Sequence, residues 1–223
     1  RHSAASGKPS LTVHPIGVPW TKNIDRMGGL PGKVSPPSPR IGAIYRHLLA
    51  ATRDSALAEE FEVTLEATHH GPHVDKPACF VEIGSTEEQW QRADAGELWA
   101  KVLLDHFKTP ATTLTEQATT AVVLIGGGHY CPRMGDMARM GSKVVVGHIL
   151  ATYTMSDYLN GTSDEEEAVA GGWRHVISEA VAGTRSAFPD LRLLCVVEKK
   201  WKSAERQQVI AFLEEQGLEW TYK

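Results

Sequence analysis

Two segments carry side chains able to do chemistry near neutral pH. "EATHHGPHVDKP", residues 66–77, places His69, His70 and His73 within five positions. "AVVLIGGGHYCPRMGD", residues 121–136, runs an apolar stretch into Gly126, Gly127 and Gly128, then sets out His129, Tyr130, Cys131 and Arg133. Imidazole titrates near pH 7 and is the commonest neutral metal ligand, so both segments suit proton transfer or metal binding. Glycines permit positive φ and let a ligand approach backbone N–H groups, which at Gly127 and Gly128 could contact a substrate. The corner is not a P-loop, since no GK[ST] follows, nor a dinucleotide fingerprint, since the third glycine of GxGxxG falls on Cys131. His69 and His73 are four apart, but Gly71 and Pro72 argue against a zinc-binding helix of the HExxH kind. At the end of a strand, His69 and His70 point to opposite faces, so both reach one pocket only if the chain turns between them. The Gly71–Pro72 pair supports such a turn.

Other groups could join them. Glu66 in "TLEAT" and Glu82 in "FVEIG" lie in apolar strand-like runs, where a carboxylate is costly unless paired or bound to metal. His148 in "VVVGHILA" reads either as a satisfied core histidine or as a further ligand, with Gly147 leaving room for approach. The sharp expectation is that His69 or His70, His129, His148, Glu66 and Glu82 converge at one sheet edge. The bland alternative is an internal hydrogen-bond network. "EKKWKSAER" sets Lys199, Lys200, Lys202 and Arg206 around Trp201, which would hold a phosphodiester backbone and stack a base, or form a solvated loop. Arg133, Arg139 and Lys143 extend this into a nucleic-acid track if all share a face. No GxSxG elbow is present, which leaves Cys131 as the one covalent candidate.

The elements that must position these groups follow from hydrophobic period. "RIGAIYRHLLAAT" from Arg40 has helical spacing. Residues 61–68, 78–84, 119–126, 143–151 and 191–198 read as strands, and "LEWTY" as an edge strand. Ser85 with Glu88 gives a capping-box pattern for a helix running to about Phe107. Ser163 with Glu166 does the same for 163–187. A helix over 203–217 should stop at Gly217. The alternation predicts a mixed, mostly parallel α/β sheet flanked by helices, with ligands past the carboxyl ends of strands. Residues 1–40, rich in Pro, Gly and Ser, are expected to pack as loops on a single α/β catalytic domain, 41–223, although "LTVHPIGVPW" has a short strand-like start.

Composition bounds the rest. The chain has 223 residues, 42% hydrophobic and 22% charged, with a net charge of −4. No apolar run approaches the ~20 residues that span a bilayer, so no membrane partner is expected. The net charge argues against a surface coated in positive charge but leaves room for a local basic patch. Cys79, Cys131 and Cys195 are odd in number and lack CxxC spacing, which fits free thiols in a reducing compartment. The opening "RHSAASGKPS" lacks the apolar core of a secretory signal. A cytoplasmic location is expected, or an organellar one if a transit peptide has been removed.

"EATHHGP", "FVEIGSTEEQW", "GGGHYCPR" and "VVVGHIL", with "LTVHPIGVPW" upstream, resemble the archaeal and plant type of D-aminoacyl-tRNA deacylase, the GEK1-like or type 2 family. The similarity runs from about Leu11 to the C-terminus. It implies an α/β fold similar to peptidyl-tRNA hydrolase and the nucleoside phosphorylases, and an ester hydrolase that frees D-amino acids from tRNA, including aldehyde-modified ones. It also implies a Zn²⁺ cofactor. Placed on the motif residues, the expected catalytic groups are His69, His70, His129 and Glu82. The expected metal ligands are His69, His70, His129 and His148. Gly127, Gly128, Tyr130, Arg133, Lys199 and Lys200 are expected to bind substrate. The expected assembly is a monomer or small homo-oligomer. Rival readings are a tRNA- or nucleotide-binding module without catalysis, and a peptidyl-tRNA hydrolase-like enzyme.

Overall fold

Ser10–His14 forms β1, with every residue buried. In the computed structural model it is the middle strand of a three-stranded sheet of order β4-β1-β5. It runs parallel to β4 (Glu62–Leu65) and antiparallel to β5 (Phe80–Gly84). The proline-rich opening therefore supplies a central strand as well as loops, because Pro9 and Pro15 flank the strand and leave its ladder intact. The structure describes residues 2–4, 7–21, 27–110, 113, 115–139, 141–159 and 172–223.

A second sheet holds four parallel strands: β6 (Thr120–Ile125), β7 (Val144–Leu150), β8 (Arg192–Val197) and β9 (Trp220–Tyr222). Their order is β7-β6-β8-β9. Gly17–Val18 (β2) and Lys33–Val34 (β3) make a small antiparallel ladder. The β6 run shows little polar alternation because both of its faces are covered. Val122 and Leu124 join a core with Ile41, Tyr45 and Met134, while Val123 and Ile125 join one with Trp173, Val176 and Leu213. Helices α1 (Ile41–Arg53), α3 (Ala93–Phe107) and α4 (Pro132–Arg139) serve the first core. Helices α6 (Trp173–Ala187) and α7 (Ser203–Glu215) serve the second. The short α5, Tyr153–Leu159, packs on α6. No helix among the described residues is long and apolar enough to cross a membrane.

One helix expectation changes, and the start of another lies outside the described residues. The stretch expected as one helix from Ser85 is two, α2 (Glu87–Trp90) and α3, separated at Gln91–Arg92. Its cap is Thr86, whose N–H and hydroxyl donate to Gln89 Oε1 at 3.0 and 2.6 Å. The Ser85 hydroxyl is already committed, donating to the Lys8 carbonyl at 2.6 Å. Ser163 and Glu166 lie outside the described residues, and α6 is seen from Trp173 onward. Gly217 adopts φ +62° after α7, as its expected stop requires.

The two main sheets meet where β4 runs on past Leu65. Cys131 N donates to Leu65 O, Ala67 N to His129 O, and Thr68 N to Ile149 O. Glu66 and Tyr130 form an antiparallel bridge. The end of β4 thus lies across the carboxyl ends of β6 and β7, and the residues after it are carried to the glycine corner.

Candidate metal centre and active site

Alternation along β1 sorts its side chains. Leu11 and Val13 enter the first core, while Thr12 and His14 take the other face, beside Glu82 of β5. Glu66 extends from β4 to the same place and is wholly buried. The chain then turns at His70, whose φ is +40°. This turn resolves the opposite-face problem: the His69 and His70 rings lie 4.4 Å apart, edge to face. His14 stacks on His69 at 4.1 Å, and His129 meets His69 at 4.6 Å. His2 stacks on His129 at 5.6 Å.

Ring nitrogens show what this cluster is built for. His14 Nδ1 lies 2.9 Å from Pro15 O, His69 Nδ1 2.8 Å from Ala67 O, and His70 Nδ1 3.0 Å from Gly71 O. A carbonyl only accepts, so each Nδ1 carries a proton and it is Nε2 that each ring turns inward. His14 Nε2 faces Glu82 Oε2 at 3.5 Å, His69 Nε2 faces Glu66 Oε2 at 3.9 Å, and His70 Nε2 faces Glu82 Oε1 at 3.8 Å. His129 Nε2 is 3.8 Å from Glu66 Oε2, with its Nδ1 3.1 Å from the Tyr153 hydroxyl. His2 Nδ1 is 3.2 Å from Glu66 Oε1, with Nε2 2.9 Å from the Tyr130 hydroxyl. Neither Glu66 oxygen makes a well-directed hydrogen bond, nor does His14 Nε2. Ring nitrogens facing carboxylate oxygens at 3.2 to 3.9 Å, with both Glu66 oxygens lacking a well-directed bond, suit a cation between them.

Two groups of four donors result: His2, Glu66, His69 and His129, and His14, His69, His70 and Glu82. Within each, the ligand atoms lie within 4.8 Å of one another. His69 belongs to both but has one free nitrogen, so it completes one group at a time. Burial and the neighbouring Glu82 push Glu66 up to about 8. For Glu82, burial acts upward, but hydrogen bonds and charge from His14 and His70 bring it well below the usual carboxylate range. Burial takes His69 down to about 2 and His129 to about 4. His70 is raised: burial opposes, but its bonds to Glu82 and the Gly71 carbonyl prevail. Without a cation, then, the two carboxyls share one negative charge at neutral pH and most of the imidazoles are neutral.

Beside the cluster is a cavity of about 490 Å³, walled by the Gly126–Gly128 corner, Tyr130, Arg133, Thr152, Glu198 and Lys200. Gly126 and Gly127 have φ +106° and +87°, as the corner requires. A Cβ on Gly126 would fall 2.8 Å from Glu198 Cβ and 3.2 Å from the Trp201 ring. Gly126→Ala should therefore destabilise the fold by about 2 kcal/mol, read as a lowered urea midpoint. The same clash should distort the cavity.

The expected site residues divide. His69, His70, His129 and Glu82 come together. His148 does not join either donor group. It is fully buried with Nδ1 3.0 Å from Thr68 Oγ1, and this supporting bond to the segment before His69 makes it a core residue. His148→Gln should keep the parent's metal content while lowering thermal stability. Gly127, Gly128, Tyr130, Arg133 and Lys200 line the cavity. Arg133 Nε is tied to Glu198 Oε1 at 2.7 Å. Lys199 is exposed on the same turn, its N–H bonded to the Lys223 carbonyl. Trp201, read as a base-stacking residue, is buried and donates its Nε1–H to Glu205, which removes it from that role. Arg139 bonds the Tyr45 hydroxyl on α1, away from the cavity wall. Cys131 is buried, and burial with the Glu66 and Glu198 charges raises its thiol far above the usual range. Cys131→Ala should keep turnover within about threefold of the parent, as an inert buried thiol requires.

Sequence reasoning did not find His2 or His14. The polar Thr12 and His14 interleaved with Leu11 and Val13 were a usable signal for His14. His2 had none: it is placed by His2 N donating to Ile83 O and by Trp90 Nε1 donating to His2 O at 2.7 Å.

A protein-family profile described as D-aminoacyl-tRNA deacylase matches residues 1–221. A D-aminoacyl-tRNA deacylase of Arabidopsis thaliana is 38% identical over 98% of this chain and 72% of its own length. One from Aeropyrum pernix is 33% identical over 100% of this chain and 73% of its own. The crystal structure of a conserved protein of unknown function, AF0625, superposes with a TM-score of 0.72 at 29% identity, covering 100% of this chain and 68% of that one. The mixed α/β architecture with a helix-flanked parallel sheet is thus shared with a solved structure.

Proposed function

The chain belongs to the D-aminoacyl-tRNA deacylase family, and we propose from that membership and the cluster's chemistry that it hydrolyses the ester of D-aminoacyl-tRNA. The products are a free D-amino acid and reusable tRNA. The observation that carries the reading is the ring of imidazoles with nitrogens turned inward around two buried carboxyls. A non-catalytic tRNA-binding module would have no need of it. Neutral nitrogen and carboxylate donors fit Zn²⁺, and the holding residues would be His2, Glu66, His69 and His129, or His14, His69, His70 and Glu82. When bound, the ion supplies Lewis-acid polarisation of the ester carbonyl and an acidified nucleophilic water.

The chain's own groups supply the rest. His129 is the most open of the cluster imidazoles at 32% exposure and lies between the cavity-wall residues Gly128 and Tyr130, so when the ion sits in the donor group that lacks His129 it is placed to hydrogen-bond the ribose oxygen of the ester. The Tyr153 hydroxyl at its Nδ1 orients the ring. Glu82 stays ionised and supplies the fixed negative charge that faces His14 and His70. N–H groups of Gly127 and Gly128 are placed to steady the developing oxyanion. Lys200, with Lys199 beside it, meets the phosphate backbone. Tyr130 and the corner form walls near the substrate Cα, where an L side chain would collide. Three free thiols fit a reducing compartment such as the cytoplasm.

The test is deacylation of matched D- and L-tyrosyl-tRNA before and after metal stripping. We expect release from the D form only, lost on chelation and restored by added Zn²⁺. Equal cleavage of both forms would remove the stereochemical claim. Full activity in metal-free protein would remove the ion from the mechanism.

A further inference from the structure

The four-stranded sheet contains a topological reversal. From β6 the chain passes through α4 to β7 on one side, and from β7 through α6 to β8 on the other. The helices cover opposite faces, since Met134 of α4 is in the first core and Trp173 of α6 in the second. A crevice therefore opens past the carboxyl ends of β6 and β8, the position where open α/β sheets bind ligands. The cavity is there: the Gly126–Gly128 corner follows β6, and Glu198 follows β8.

Glu198 is unusual for a residue on a cavity wall. It is 6% exposed, and its N–H donates to Ile125 O, which anchors it to the sheet. Arg133 Nε fixes Oε1 at 2.7 Å. Oε2 is directed at the glycine corner, 3.8 Å from where a Cβ on Gly127 would stand, so bare backbone leaves that oxygen approachable. A fixed carboxylate beside a glycine turn at a switch point is the arrangement by which such sheets accept hydrogen bonds from ribose hydroxyls. Lys200 at the rim supplies positive charge for a phosphate. A volume of about 490 Å³ exceeds what an amino acid needs and admits a nucleoside. Gly128 and Tyr130, on either side of His129, form the shared wall, so a sugar in the cavity would present its acylated hydroxyl to the imidazole cluster.

We propose that this cavity holds the 3′-terminal adenosine of the substrate, with Glu198 accepting a hydrogen bond from the free ribose hydroxyl next to the ester and Arg133 positioning Glu198. This rests on the deacylase reading but is tested apart from it, by binding without turnover. The probes are adenosine 5′-monophosphate and its 2′,3′-dideoxy analogue, titrated into the full chain by calorimetry, with backbone amide shifts followed by NMR. The wild-type protein should bind the ribonucleotide at least about tenfold more tightly, because a site built to bond a hydroxyl rejects the analogue lacking it. The shifts should include Gly126–Gly128. Glu198→Gln should bring the ratio near one and raise KM for D-tyrosyl-tRNA about tenfold with kcat changed less than about threefold, the pattern of lost binding rather than lost chemistry. If that variant does not fold, the wild-type ratio and shifts decide alone. Equal affinity for the two nucleotides, or shifts confined to other regions, overturns the assignment even where deacylation is intact. Discrimination without deacylation supports it and removes the deacylase reading instead.

Discussion

Glu66→Gln is expected to lower kcat/KM on D-aminoacyl-tRNA by on the order of a thousandfold, the scale of losing a metal ligand's contribution to the transition state. The same change should leave the metal-free protein at least as stable as its parent. Both halves follow from one side chain. Glu66 is wholly buried, with His2, His14, His69 and His129 nitrogens 3.2 to 3.9 Å from its oxygens. With its acidity pushed up to about 8 it is mostly protonated at pH 7 in the metal-free state. A glutamine has nearly the same shape and is neutral at every pH, so folding loses no charge interaction there, and the amide can donate to a waiting imidazole. An ion, however, loses its anionic ligand. Metal content by mass spectrometry and urea unfolding of the stripped protein separate the two effects. Parental metal content together with parental turnover would mean that Glu66 is not a ligand, and a large loss of metal-free stability would mean that its role is structural.

The second large effect is in the pH dependence of folding. His69 at about 2 and His129 and His106 at about 4 all lie below the ordinary 6.5, each chiefly through burial. Each lowered histidine binds fewer protons folded than unfolded, so its contribution is complete above pH 6.5 and is lost as pH falls towards its folded value. His2 is lowered in the same sense, mainly by burial. Glu66 runs the other way. Raised from 4.5 to about 8, it contributes below pH 4.5 and loses that contribution as pH climbs through 8. His70, also raised, adds to the alkaline loss. The metal-free protein should therefore be most stable near pH 6.5, with each unmatched proton worth about 1.4 kcal/mol per pH unit on either side. Zn²⁺ opposes the alkaline arm, because it takes the place of the Glu66 proton in one donor group or of the His70 proton in the other. The stabilisation gained on adding metal should grow from pH 5.5 to 8. Melting curves with and without metal across that range give the answer. A metal increment that is flat with pH would show that no proton is displaced.

The sequence made the strands and the glycine corner readable because their local signals agree with the global fold. β6 and β7 are apolar, β-branched and bounded by turn residues, and Gly126 and Gly127 sit where only positive φ serves. The gathering of His69, His70, His129 and Glu82 was legible because charged or titratable groups on strand ends are hard to explain as packing. What escaped was set by distant contacts. β1 was legible as a short strand-like start, but the prolines around it made residues 1–40 read as loops packed on a domain rather than as the source of a middle strand. His2 owes its place to the backbone of Ile83 and the indole of Trp90, neither visible from its neighbours. His148 misled because a histidine in a buried strand looks the same whether it faces a metal or a threonine. Ser85 misled because its hydroxyl was already used by Lys8.

The donors of the cluster are strung from residue 2 to residue 129: one group lies wholly within residues 14–82, while the other also needs His2 and His129. β1 arrives first during synthesis, yet its ladder partners begin only at Glu62, and His129 follows later still. Such long-range pairing is slow to nucleate. Until the two sheets join, the group with His2 lacks His129 beside Glu66 and His69. Capture in the group that includes His129 would then be a late event in the molecule's biogenesis, and a spectroscopic ion such as Co²⁺ bound there would light up only chains in which the two sheets have already joined.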